Sequence, residues 1–157
     1  MTLQNLISTI DTVHQTFQAK ALQSVSVNLT LRNFIIGYYI VEYEQNGSDR
    51  ATYGSKLIEN MAQKLLHIKG MSSTALKLMR QFYLTYPQIS QSVTDQSLYV
   101  PTEKLLRVCS FTHFIELVKI DDELKRVFYE VETIKGNWSA LSIMNSECLI
   151  FNEKKVA

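Results

Sequence analysis

Residues 57–86 read LIENMAQKLLHIKGMSSTALKLMRQFYLTY, and this stretch decides the fold. Leu57, Ile58, Met61, Leu65 and Leu66 recur at helical spacing, with Lys56, Glu59, Asn60, Gln63 and Lys64 on the opposite face. The spacing predicts a helix from Leu57 to Ile68. Lys69-Gly70-Met71-Ser72 is then a hinge. A second helix follows from Ser73 to Tyr86, capped by Ser72 or Ser73 and stopped by Pro87. Its inward stripe is Leu76, Met79, Phe82, Tyr83 and Tyr86. Two amphipathic helices around a short Gly-containing hinge have the spacing of a helix-turn-helix.

The outer face of the second helix carries Lys77, Arg80 and Gln81 at i, i+3 and i+4. Arg pairs bidentately with guanine and Gln with adenine, so these three are the candidate base-reading residues. Lys69, Lys104 and Arg107 are candidate phosphate contacts. The competing reading is a solvated face on an ordinary helical bundle. Charge distribution favours the first. The whole chain carries only +1, but residues 56–107 hold seven Lys/Arg against three Asp/Glu, a balance of +4. Residues 108–132 hold three against six, a balance of −3.

Working outward, 157 residues with 46% hydrophobic content, five Gly and two Pro fit one compact, mostly helical domain. Leu3, Leu6, Ile7, Ile10, Val13, Phe17 and Ala21 keep helical period. The next segment, about Ser24 to Tyr43, is apolar almost all round, which predicts a central helix wrapped by others. Gly37 in its middle permits close packing. A loop is expected over 87–101, a short helix near Thr102–Val108, and a further helix capped by Ser110 with Phe111, Phe114, Ile115 and Val118 buried. Asp121-Asp122-Glu123 opens the next helix, which continues through Leu124, Val127, Phe128 and Val131 to Gly136. The apolar tail has no clear period. The expectation is all-α: a bundle of about six to eight helices with helix-turn-helix or winged-helix-like character.

Catalytic patterns are weak. Glu123-Leu-Lys125 and Glu153-Lys-Lys155 resemble the end of a metal-nuclease motif, but no second carboxylate on a strand precedes either. His14, His67 and His113 lie about 50 residues apart and predict no zinc site. Cys109 with His113 four residues on could form a nucleophile and base, though a buried inert thiol is the default. Tyr38, Tyr39, Tyr43, Phe82, Tyr83 and Tyr86 read as core more readily than as base-stacking platforms. No cofactor or metal is expected. Two distant cysteines, no signal peptide and no membrane span predict a cytoplasmic protein.

An ordered set of short strings adds to this reading: Ala51-Thr-Tyr-Gly54, Gly70-Met-Ser72, Leu78-Met-Arg-Gln-Phe-Tyr83, Tyr86-Pro87, Ser110-Phe-Thr-His113, Arg126-Val-Phe-Tyr129 and Trp138-Ser139. Together they resemble the N-terminal domain of the YhcG-like bacterial proteins, over about residues 5–139. The resemblance implies a helical domain for DNA binding or partner recognition that normally precedes a PD-(D/E)XK nuclease domain. The nuclease residues lie in that downstream domain, so none carries over. After Trp138-Ser139 this chain reads Ala140-Leu-Ser-Ile-Met144, where the family resembles Val-Arg-Glu-Leu. Residues 1–139 are therefore expected to form the family's domain and 140–157 a divergent or truncated tail, with the nuclease domain absent. The function expected is a non-catalytic DNA-binding or targeting module, with a nuclease or restriction-modification protein as a possible partner. The alternative is a protein-interaction or homodimerisation module, using the apolar tail from Ile143 to Phe151.

Overall fold

The computed structural model describes residues 3–46, 56–90 and 102–153. Seven α-helices and no strand occur among the described residues: α1 Leu3–Asn46, α2 Leu57–Lys64, α3 Ser73–Thr85, α4 Thr102–Val108, α5 Phe111–Leu117, α6 Glu123–Gly136 and α7 Ala140–Glu153. Among the described residues no helix is long and apolar enough to cross a membrane. The Ala51–Gly54 string and residues 91–101 lie outside the described residues.

The two N-terminal segments expected from the sequence are one helix. Nothing between Leu3 and Ile36 is Pro or Gly, so no local signal breaks the 44 residues of α1. At 1.5 Å per residue it spans about 66 Å. Only its C-terminal half joins the bundle. There α3 runs antiparallel to it, with Phe34 against Phe82 and Tyr83. Gly37 is the reason the two axes come so close. A Cβ at this position would overlap the backbone carbonyl of Met79.

Two clusters fill the interior. Phe34, Phe82, Tyr86, Leu105, Cys109, Phe114, Leu117, Val118, Ile120, Tyr129 and Ile143 form one. Ile40, Ile58, Met71, Leu76 and Met79 form the other, closing α2 against α1 and α3. Phe82 is the hinge of the aromatic packing, with Phe114 4.5 Å and Tyr86 5.7 Å from its centroid.

Helix ends follow the local chemistry. Ser72 accepts from the Ala75 amide at 3.2 Å, and Asp122 accepts from the Lys125 amide at 2.9 Å. The left-handed residue ending α6 is Asn137 (φ 49°), not Gly136. Gly136 has a different task, since a Cβ there would lie 2.6 Å from Nε1 of Trp138.

Three expectations need correction. α2 ends at Lys64, so the connection to α3 runs from Leu65 to Ser72 rather than over four residues. That is longer than the three- or four-residue turn of a helix-turn-helix. On α6 the inward residues are Tyr129, Glu130 and Thr133, whereas Leu124 and Phe128 are exposed. Ile143 is fully buried against α5, so the start of the tail belongs to the core.

Candidate nucleic-acid interface

The outer face of α3 is exposed at Lys77, Gln81 and Leu84, with Arg80 half-buried at its edge. Each polar group is already engaged. Lys77 Nζ donates to Glu59 Oε1 of α2 at 2.9 Å. That hydrogen bond is the main reason the Glu59 carboxyl is held below its ordinary range. Arg80 Nε donates to Glu44 Oε2 of α1 at 2.7 Å. Gln81 Nε2 donates to Thr85 Oγ1 one turn on, at 3.3 Å. The two cations thus face two anions from neighbouring helices. A sequence window sees neither anion, because the pairs bridge 18 and 36 residues.

The phosphate candidates divide. Lys69 sits beside Gly70, whose φ of +90° turns the chain into α3 near the C-terminal end of α1. Lys104 and Arg107 are exposed on α4, where the Arg107 carbonyl accepts from the Gln23 side chain at 3.2 Å. Gln23 and Ile40 are separated by about 26 Å along α1. Lys69 is therefore grouped with Lys77 and Arg80, while Lys104 and Arg107 lie at the far end of the bundle.

The competing chemistries find no support in geometry. Cys109 is buried, and burial pushes its thiol up to about 12, which keeps it protonated. His113 is a structural ligand of the chain. Its Nδ1 accepts from the Ser110 amide at 3.1 Å and lies 2.8 Å from Ser110 Oγ, forming a capping box for α5. Its Nε2 donates to the Trp138 carbonyl at 3.0 Å. An imidazole whose accepting nitrogen already holds a backbone amide has no lone pair left for a base's work. Glu123 is exposed in the first turn of α6. Among the described residues no group of three or more His, Cys, Asp or Glu is placed to hold a metal ion.

Two features are absent from the sequence-based expectations. Tyr39 and Tyr43 are 66% and 49% exposed rather than core, and they line an apolar groove with Ile36, Met61, Asn60 and Lys64. The second is Glu130, 3% exposed on α6. It accepts from Tyr86 Oη at 2.8 Å beside a cavity of about 460 Å³ that Gln81 and Arg126 also line. Desolvation pushes its carboxyl above the ordinary range, against the pull of the Tyr86 hydrogen bond and of Arg126. No local pattern announces Glu130, which occupies a face that the apolar spacing assigns to solvent.

Comparison with known proteins gives a consistent context. The family model described as DUF1016 N-terminal domain matches residues 9–147. The chain is also similar to the Escherichia coli (strain K12) protein described as "Putative nuclease YhcG", at 28% identity over 158 residues. That alignment covers 87% of this chain and 42% of the relative, so the chain spans less than half of that protein's length. No solved structure matches.

Proposed function

Because the chain belongs to the DUF1016 N-terminal domain family, we propose that it is the non-catalytic targeting module of a nuclease-type protein and contacts DNA through the outer face of α3. The observation that carries this reading is the clustering of Lys69, Lys77 and Arg80 around the α2–α3 connection, with Gln81 beside them. In this reading Lys77 and Arg80 exchange their carboxylate partners for phosphate or guanine, and Gln81 gives up Thr85 to read a base.

That exchange is inexpensive. Ion pairs as open as Lys77–Glu59, at 59% and 46% exposure, add little stability and are screened by salt. Glu44 and Glu59 also serve a purpose here. They neutralise the face toward non-specific polyanions, so that binding depends on contacts strong enough to displace them. Lys104 and Arg107 would belong to a second, weaker phosphate contact at the other end of the bundle. The experiment is binding of the chain to duplex DNA at low salt, read by fluorescence anisotropy. Loss of binding in Lys77→Ala/Arg80→Ala supports the reading, and absence of binding by the unaltered chain rejects it.

A further inference from the structure

We propose that the N-terminal half of α1 is a self-association helix that pairs with the same segment of a second copy of this chain. This stands on observations independent of the DNA reading. Residues 6–25 are all exposed, and the Gln23 side chain reaches the bundle at the Arg107 carbonyl. Yet this segment carries Leu6, Ile7, Ile10, Val13 and Phe17, each 40–65% exposed. Leu6, Ile10, Val13 and Phe17 alternate spacings of four and three, the seam spacing of paired helices.

Local forces do not account for a helix here. The segment holds Thr9, Thr12, Val13, Thr16, Ser24, Val25 and Ser26, poor helix formers all. Thr12 and Thr16 bond back to the carbonyls of Ser8 and Thr12, at 2.9 and 2.7 Å, a pattern that slightly weakens helices. A lone helix of this composition is marginal in water, and burial of its stripe is what would hold it.

The chemistry of the face selects the occupant. Between Leu6 and Leu29 the charged residues are Asp11 and Lys20. An interfacial membrane helix is rich in Lys and Arg on its polar face, and this one is not. A nucleic acid or a strongly charged protein finds nothing to pair with. A second copy meets an apolar seam with its own like and brings no run of equal charges together. The five apolar side chains expose roughly 500 Å² per chain, so two copies cover on the order of 1,000 Å², the size at which interfaces become specific. Geometry permits it. At 100° per residue, the stripe lies roughly 140° round α1 from Thr30, Gly37 and Val41, so each bundle stays on the outside of the pair.

Sedimentation equilibrium of the full chain at micromolar concentration tests this. The expected result is a dimer of the 18.1 kDa chain. Ile10→Glu/Phe17→Glu should weaken the dimer by about a hundredfold or more. Ile10→Leu/Phe17→Leu should preserve it, and the folded bundle is verified in each variant by Trp138 fluorescence. The proposal is overturned if the unaltered chain stays monomeric up to high concentration. It is equally overturned if the dimer persists in the Glu variant, since the seam would then lie elsewhere. Should the Glu variant not fold, Val13→Gln/Phe17→Gln replaces it with the same expectation.

Discussion

Arg80 Nε of α3 and Glu44 Oε2 of α1 lie 2.7 Å apart, so the guanidinium proposed to read DNA is oriented by a carboxylate from the neighbouring helix. Lys77 stands in the same relation to Glu59. These carboxylates are competitors for any phosphate. Glu44→Gln and Glu59→Gln should each raise affinity for duplex DNA by about three- to tenfold at low salt, measured by anisotropy. Unchanged affinity in both variants would mean that this face does not meet the backbone.

Gly37 has no room for a methyl group against Met79. Gly37→Ala gains helix propensity worth about 1 kcal/mol, but it must push α1 and α3 apart. Overpacking of this kind costs about 3 kcal/mol where backbone cannot yield. Urea denaturation should report a net loss of about 2 kcal/mol. A variant as stable as the parent would show that α1 and α3 do not approach this closely.

Glu130 gives the fold a pH dependence whose sign can be worked out. Burial raises its pKa in the folded state above the ordinary 4.5, so the folded chain holds this proton more tightly than the unfolded chain. Its contribution is fully favourable below that value and is lost as pH rises toward the folded pKa. Glu130→Gln keeps an acceptor for Tyr86 Oη and carries no charge. The variant should therefore gain stability relative to the parent as pH climbs from 4.5 toward neutrality. Melting temperatures across that range decide it, and a growing deficit in the variant would contradict the account.

Asn137 occupies the left-handed region that ends α6. Asn137→Gly should be neutral or slightly stabilising, and Asn137→Ala should cost about 1 kcal/mol, because a Cβ without a polar side chain is disfavoured there. Thermal melts of the two variants should diverge accordingly. Equal melts would argue against the left-handed cap.

The helices are legible in the sequence because they are local. Ser72 before α3 and the Thr102–Val108 helix follow from caps and spacing alone. The close approach at Gly37 is legible too, since an isolated glycine in an apolar helix has few other uses. What the sequence hides is long-range. Glu44 and Glu59 meet Arg80 and Lys77 only after α1 and α2 pack on α3. The spacing of α6 points to Leu124 and Phe128, yet the bundle buries Tyr129 and Glu130 instead, because Tyr86 supplies the hydrogen bond that makes a carboxyl tolerable there. Several strings of the family resemblance prove to be structural: His113 bonds to the Trp138 carbonyl, and Arg126 Nη1 donates to the Ile120 carbonyl at 2.9 Å. They mark the fold and do not by themselves mark a site.

The most direct test of the targeting role is the salt dependence of duplex-DNA binding by the full chain. The account predicts a steep fall in affinity with salt. In Lys77→Ala/Arg80→Ala the log–log slope should flatten by about two units, one for each phosphate left without its cation. Binding with an unchanged slope in that variant, or no binding by the parent chain at low salt, would contradict it.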